Sequence, residues 1–273
     1  MTSRMPPRDW TAIHWPDIAK GDPSSWIAVL PLAATEQHGP HLPLATDVMI
    51  AEAYLAEVRR LLPADIPATF LPVQPIGIST EHLAFPGTLT LPTEIALQTW
   101  TAIGESIARA GVQKLVMVTS HGGNSAAMAL AAQDLRAEYG MLVATTGWNR
   151  FGVPAGLVTD EEIRHGIHGG AIETSIMLAR YPEHVRKDKI ANFTPSTIAM
   201  EKQYRWLSAS RPAPLAWQAE DLHASGAIGD ATQASAQKGE QLLVHGAKAF
   251  CELLDDVHRF DLTAFDREPD AGA

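Results

Sequence analysis

Short, unbroken apolar runs alternate along the chain with longer stretches whose apolar positions recur every three or four residues, the pattern of strands buried on both faces and the helices that cover them. Residues 26 to 33 (WIAVLPLA) and 114 to 119 (KLVMVT) are runs of the first kind, and 141 to 146 (MLVATT) predict the strand that follows them. Residues 69 to 76 (TFLPVQPI) predict a further strand, interrupted by prolines. Asp47 stands as the expected N-cap of the helix VMIAEAYLAEVRRLL, whose Ile50, Ala53, Tyr54, Val58 and Leu61 share one face. A second helix is expected to start near Pro92, with Ile95, Trp100, Ile103 and Ile107 facing the core and Gly111 as its stop. A third, SAAMALAAQDLRAEY, follows SHGGN directly, and the stretch from 166 to 180 (GIHGGAIETSIMLAR) reads as a loop feeding a fourth. From 186 to 229, scattered Pro and Trp predict a long excursion over the surface or toward a partner subunit. A last long helix is expected over Asp230 to His258, with DREPDAGA a frayed tail.

Strand and helix alternate without a compositional break as far as about residue 150, which argues for an α/β fold with a mainly parallel sheet covered by helices. A single domain over residues 1–273 is the expectation, since roughly 250 residues is ordinary for one α/β unit. At 46% hydrophobic and 19% charged residues the chain can bury a full core, and it contains no apolar run long enough to span a bilayer. Thirty-one acidic against 21 basic residues, a net charge of -10, disfavour a nucleic-acid partner. The single cysteine, Cys251, excludes a disulfide framework and thiolate zinc knuckles, and is read as a core residue. MTSRMPPRDW lacks the apolar stretch of a secretory signal, so a cytoplasmic protein is expected.

Open α/β sheets gather ligands beyond the carboxyl ends of their strands, and the chemically unusual residues fall there. Glu36 and His38 follow the first strand, and Asp47 closes that loop. His121 follows the 114–119 strand, and His168 with Glu173 lies in the loop and first turn of a later helix. Glu36 and His38 are two apart, so in extended chain they leave one face and can reach one site or two adjacent ones. Carboxylates clustered without a cation repel and raise one another's pKa, so the group asks for metal. Three carboxylates (Glu36, Asp47, Glu173) offset three of the four charges on two divalent ions, and a hydroxide would neutralise the fourth. Such a pair lowers the pKa of a shared water and polarises a carbonyl, as in dinuclear hydrolases.

These residues sit in motifs that resemble the creatininase (creatinine amidohydrolase) family: TEQHGPHLPLATD (35 to 47), GISTEHLAFPGTLTL (77 to 91), SHGGN (120 to 124), HGGAIETS (168 to 175) and a weaker GAIGDATQASAQKG (226 to 239). The resemblance implies a three-layer α/β sandwich around a mainly parallel sheet, assembled as a homohexamer. It implies that Glu36, Asp47 and His121 hold one divalent ion and that His38, Asp47 and Glu173 hold the other. His168 would then be the acid/base histidine, with Glu173 counted beside it at the catalytic centre. Zn or Mn is the expected metal, with Fe also compatible with the donors. Creatininases carry a glutamate at the position of Gly123 that binds the second ion. Here Glu173 is the expected replacement, as in family members that are not creatininases, so creatinine does not carry over as the substrate.

The implied activity is a metal-dependent amidohydrolase acting on a non-peptide C–N bond of a small cyclic amide or formamide-type molecule. The alternative is a metallopeptidase that trims a short peptide in cofactor maturation. A phosphate- or nucleotide-binding protein built on SHGGN is the non-enzymatic alternative, but it would want Lys or Arg where these loops carry carboxylates. Ser79, Glu81, His82, Gly122 and Gly123 are read as substrate-contacting, with Glu81 or His82 alternatively supporting a ligand. Trp148 is read as an aromatic wall over the substrate and Trp100 as core. His41 is expected to stabilise its loop and His165 to be solvent-exposed. Phe85-Pro86-Gly87-Thr88 reads as a structural turn, and Trp206 and Trp217 as interface or loop packing.

Overall fold

The computed structural model describes residues 5–265, and the tail read as frayed lies outside them from 266 onward. Its elements run α1 (Trp15–Lys20), β1 (Ile27–Leu32), α2 (Thr46–Leu61), β2 (Ala68–Phe70), α3 (Thr93–Arg109), β3 (Lys114–Thr119), α4 (Ser125–Tyr139) and β4 (Leu142–Gly147). They continue with α5 (Asp160–His165), α6 (Ala171–Arg180), β5 (Asn192–Phe193), α7 (Thr197–Gln203), β6 (Leu207–Ser208), β7 (Ala213–Pro214), α8 (Ala219–Leu222), β8 (Gly229–Asp230) and α9 (Ala236–Arg259).

The central sheet has the order β2-β1-β3-β4 and is parallel throughout. Period-two alternation divides its side chains between two cores. Ile27, Val29, Val116 and Val118 face a layer built on α2, α6 and α9, while Ala28, Leu30, Leu115 and Met117 face α3 and α4. The result is the three-layer sandwich expected. Leu32 pairs with Thr119 and Thr119 with Gly147, so β1, β3 and β4 end side by side and open their loops at one edge. Among the described residues no helix is long and apolar enough to cross a membrane.

Three boundaries and the placement of His165 differ from the pattern-based reading. Only Ala68–Phe70 pairs as β2, because Pro72 and Pro75 have no N–H to give; Gln74 restores the edge by bonding Pro31 O and Ala33 N. α2 begins at Thr46, so Asp47 lies inside the first turn and caps nothing; its carboxylate serves the cluster described below. The last helix starts at Ala236, where Ser235 caps it by accepting from Lys238 N, while Asp230 is used to cap a separate turn at Ala231–Gln233. His165 is buried, bonded to Thr197 Oγ1 at 2.9 Å and to Glu201 at 3.0 Å, where exposure was expected. Trp100 and Cys251 are core, Trp206 is exposed, and Trp217 packs beside Leu222 and Ile228 with its indole N–H on Ala209 O.

Candidate metal centre

Four local devices deliver the side chains to the sheet edge. The loop after β1 is pinned by the 77–91 loop: Leu89 N donates to Thr35 O, and Thr88 Oγ1 accepts from Gln37 N. Ser120 Oγ donates to Asp47 O at 2.8 Å and ties the start of α2 to the end of β3. His168 is held by paired bonds with Ile228, His168 N to Ile228 O and Ile228 N to His168 O, which is what the weak 226–239 motif contributes. Gly169, at φ +64, takes a left-handed turn that only glycine makes cheaply, and its N–H reaches Glu173 Oε2 at 2.6 Å.

Glu36, His38, Asp47, His121 and His168 all become buried and converge on one point. Glu36 Oε1 lies 3.2 Å from His121 Nδ1 and 3.6 Å from His168 Nδ1. Asp47 bridges the cluster, with Oδ2 3.5 Å from His121 Nδ1 and Oδ1 3.6 Å from His38 Nε2. Glu173 Oε2 closes the far side, 3.9 Å from His38 Nε2. Glu36–Asp47–His121 and His38–Asp47–Glu173 each bring three ligand atoms within 4.8 Å of one another, as does Glu36–His38–His168. Ligands bonded tetrahedrally to one ion at about 2.1 Å lie about 3.4 Å apart, close to the separations found here.

Both oxygens of Glu36, His38 Nε2 and Asp47 Oδ2 are buried with no hydrogen-bond partner. Four such atoms turned toward one another are costly unless a cation lies among them, so the residues present fit divalent metal. Their titration carries the same message. Burial alone would lower the His38 and His121 pKa values, but the summed carboxylate charges outweigh it and hold them at about 9 and about 10. Burial would raise Glu36, yet the imidazoles around it pull it below its ordinary value. Burial raises Asp47, and it lifts Glu173 to about 7. His168 is pushed well below an ordinary histidine by burial and by the neighbouring His38 and His82, so it stands neutral.

The residues read as substrate-contacting separate into four groups. Ser79 and His82 are buried, His82 with its ring 4.3 Å from His168, and burial lowers its pKa to about 4. Glu81 and Gly122 lie nearer solvent, and Glu81 Oε1 approaches His121 Nε2 at 3.6 Å. A Cβ on Gly123 would meet Ile78 O at 2.3 Å, His121 Nε2 at 2.5 Å and Glu81 Oε1 at 2.8 Å, so this backbone has no room for a glutamate there. Trp148 is a correction: expected as an aromatic wall over the substrate, it is buried, stacked on Tyr54 at 4.4 Å inside the α2/α6/α9 core, because the turn after β4 packs against α9.

Some supporting residues went unread. Gln37, between two ligand candidates, bonds His82, Gly39 and Gly226. Glu162 accepts from Ala171 N at 2.6 Å and Asp230 N at 2.7 Å, clamping the start of α6. Asn124 joins three loops, accepting from Ile78 N and donating to Ala33 O and Thr119 Oγ1. A polar residue inside a motif was the available signal for Gln37 and Asn124; Glu162 offered none. His41 does secure its loop, through Thr174 Oγ1 at 2.9 Å, and Gly87 turns at φ +97 in the structural 85–88 segment.

The Creatininase family profile, described as creatinine amidohydrolase, matches residues 11–254. The chain belongs to the creatininase family. This creatininase-family chain is 34% identical over 248 residues to a mycofactocin precursor peptide peptidase of Mycobacterium ulcerans, covering 86% of the chain and 84% of that relative. It is 29% identical over 244 residues to a creatinine amidohydrolase of Pseudomonas putida, covering 83% and 86%. A solved creatininase superposes with a TM-score of 0.74 at 24% identity, covering 93% of this chain and 99% of the other. Manganese and Zn-Zn forms of creatininase share the fold with TM-scores of 0.73 and 0.72.

Proposed function

We propose that this creatininase-family chain is a divalent-metal hydrolase that cleaves a C–N amide bond. The observation that carries the reading is Asp47, shared between two triads in which both Glu36 oxygens, His38 Nε2 and Asp47 Oδ2 are buried without a hydrogen-bond partner. Glu36, Asp47 and His121 would hold one ion and His38, Asp47 and Glu173 a second, Zn or Mn by donor type, with Fe compatible. Bound there, the ions would supply an acidified water and polarise the scissile carbonyl.

The chain's own groups do the rest. His168 Nε2 donates to Gln37 O at 2.5 Å, so the neutral ring turns the Nδ1 lone pair into the site. That nitrogen takes the proton of the attacking water and returns it to the amide nitrogen, a poor leaving group until protonated. Gly169 N steadies Glu173, and Ser120 steadies Asp47.

A peptide bond is the first substrate reading, supported by the 34% identity to a peptidase. A small cyclic amide or formamide is the second, favoured by the 29% identity to a creatinine amidohydrolase. The reading includes a homohexamer, checked by analytical ultracentrifugation. A screen of short peptides against lactams and formamides separates the substrate classes, with release of a free amino acid marking the peptidase. Chelation should abolish turnover, and Zn or Mn should restore it; turnover that survives metal stripping overturns the proposal.

A further inference from the structure

Four imidazoles surround the Glu36 carboxylate, and their outward nitrogens are not bound alike. His38 Nδ1 lies 3.0 Å from Glu36 O, His121 Nε2 2.6 Å from Ile78 O and His168 Nε2 2.5 Å from Gln37 O. A carbonyl only accepts, so each of these nitrogens carries the hydrogen and a ring with one proton turns a lone pair inward.

His82 is reversed. Its Nδ1 lies 2.7 Å from Gln37 Nε2. The Gln37 amide has one workable orientation, because its Oε1 accepts from Gly39 N at 2.8 Å and its Nε2 donates to Gly226 O at 3.0 Å. An amide nitrogen only donates, so His82 Nδ1 is the acceptor and the ring hydrogen sits on Nε2. That nitrogen faces Glu36 Oε1 at 3.3 Å. Gln37 and His82 are both buried, so solvent offers no competing partner.

We propose that Gln37 and His82 are positioning residues: Gln37 fixes His82 with its Nε2–H turned inward toward Glu36, which favours the charged carboxylate and keeps His82 from becoming a ligand itself. The consequence is an open coordination position. With a lone pair on Nε2, His82 would join Glu36 and His121 around one ion and fill the place where substrate or water must bind. Metal-ligating histidines owe their tautomer to outer hydrogen bonds, and here the same device is used to withhold a histidine. The inference rests on the metal-hydrolase reading above.

The test is ¹⁵N NMR of the histidine rings in the full chain, metal-free and during titration with zinc, with His82→Gln identifying the His82 signals. Two-bond N–H couplings should report Nε2–H on His82, unchanged as zinc binds, while the His38 and His121 signals shift. Gln37→Glu supplies a group that only accepts; it should move the hydrogen to Nδ1, bring His82 onto zinc, and lower kcat about 10- to 100-fold with KM little changed. If Gln37→Glu does not fold, the wild-type spectra decide. An Nδ1–H tautomer in the wild type, a His82 Nε2 signal that shifts on zinc, or a folded Gln37→Glu with unchanged kcat overturns the proposal. A chain that takes up no zinc overturns the hydrolase reading and this one with it, whereas zinc uptake through His82 overturns this one alone.

Discussion

The two ligand triads share Asp47 and differ in nearly everything around it. The inner one, Glu36–Asp47–His121, comes from the ends of β1 and β3 and the first turn of α2, and every member is buried. The outer one, His38–Asp47–Glu173, borrows its carboxylate from α6, on the far side of a glycine turn, and that side chain is 22% exposed. The inner carboxylate is stabilised in its charged form by three imidazoles, whereas burial lifts Glu173 to about 7. One site is built into the sheet edge, and the other depends on how two separately packed segments meet. On the proposed reading, an ion at the inner triad would be held tightly and one at the outer triad would exchange readily.

Removing Asp47 should erase the comparison altogether, because both triads lose a ligand. Asp47→Ala is expected to bind neither ion and to lose activity on the order of 10⁴-fold, about 5 kcal/mol of transition-state stabilisation. Elemental analysis of the purified protein beside wild type checks it; two ions retained in the variant would refute the shared-ligand geometry. Glu36→Gln against Glu173→Gln then takes the halves apart. The first should lose the inner ion and nearly all activity, roughly 10³-fold, and the second only the outer ion, roughly 10²-fold. Equal losses would mean that the two positions are not graded as their surroundings imply.

Acidification should separate the triads as well. In the metal-free chain near neutral pH, His121 carries the inner proton at about 10, His38 carries an outer one at about 9, and Glu173 adds a second outer proton as pH falls through about 7. An ion must displace these protons, so its affinity falls with falling pH, more steeply outside, where Glu173 adds its proton to that of His38, than inside, with Asp47, raised by burial, common to both. The outer ion should therefore leave first between pH 8 and pH 6. Zinc titrations followed by calorimetry in buffers of different ionisation enthalpy count the protons released; equal numbers for both steps would contradict the assignment.

The same contrast governs how much could be read before the fold was known. β1 and β3 were legible because strands buried on both faces leave unbroken apolar runs, β4 because it is a short apolar run even at the half-buried sheet edge, and the residues at their ends inherit a position from the sheet. Glu36, His38 and His121 are of this kind. Position at a strand end misled for Trp148, since the same address leads into the core when the following turn packs against α9. Asp47 looked like a cap because an acidic residue before an apolar helix usually is one; its partners lie in other loops. Gln37, Glu162 and the buried His165 owe their roles to contacts across 32 to 189 positions of chain, for which no local pattern exists.

The smallest expected effect probes why position 123 is glycine. A Cβ there would stand 2.3 Å from Ile78 O and 2.5 Å from His121 Nε2, the two atoms whose hydrogen bond fixes the inward face of His121. Backbone and ring must move to admit it, and neither is the free end of a flexible side chain. Gly123→Ala should cost about 1–3 kcal/mol in stability, as overpacking does. Because the displaced ring belongs to the inner triad, zinc affinity there should weaken severalfold while the outer step is unchanged. Denaturant midpoints and the two-step zinc isotherm measure the two effects separately. Loss of outer affinity with inner affinity intact would show that the 120–124 loop supports the cluster through Glu81 or the substrate face, and that His121 is held by other means.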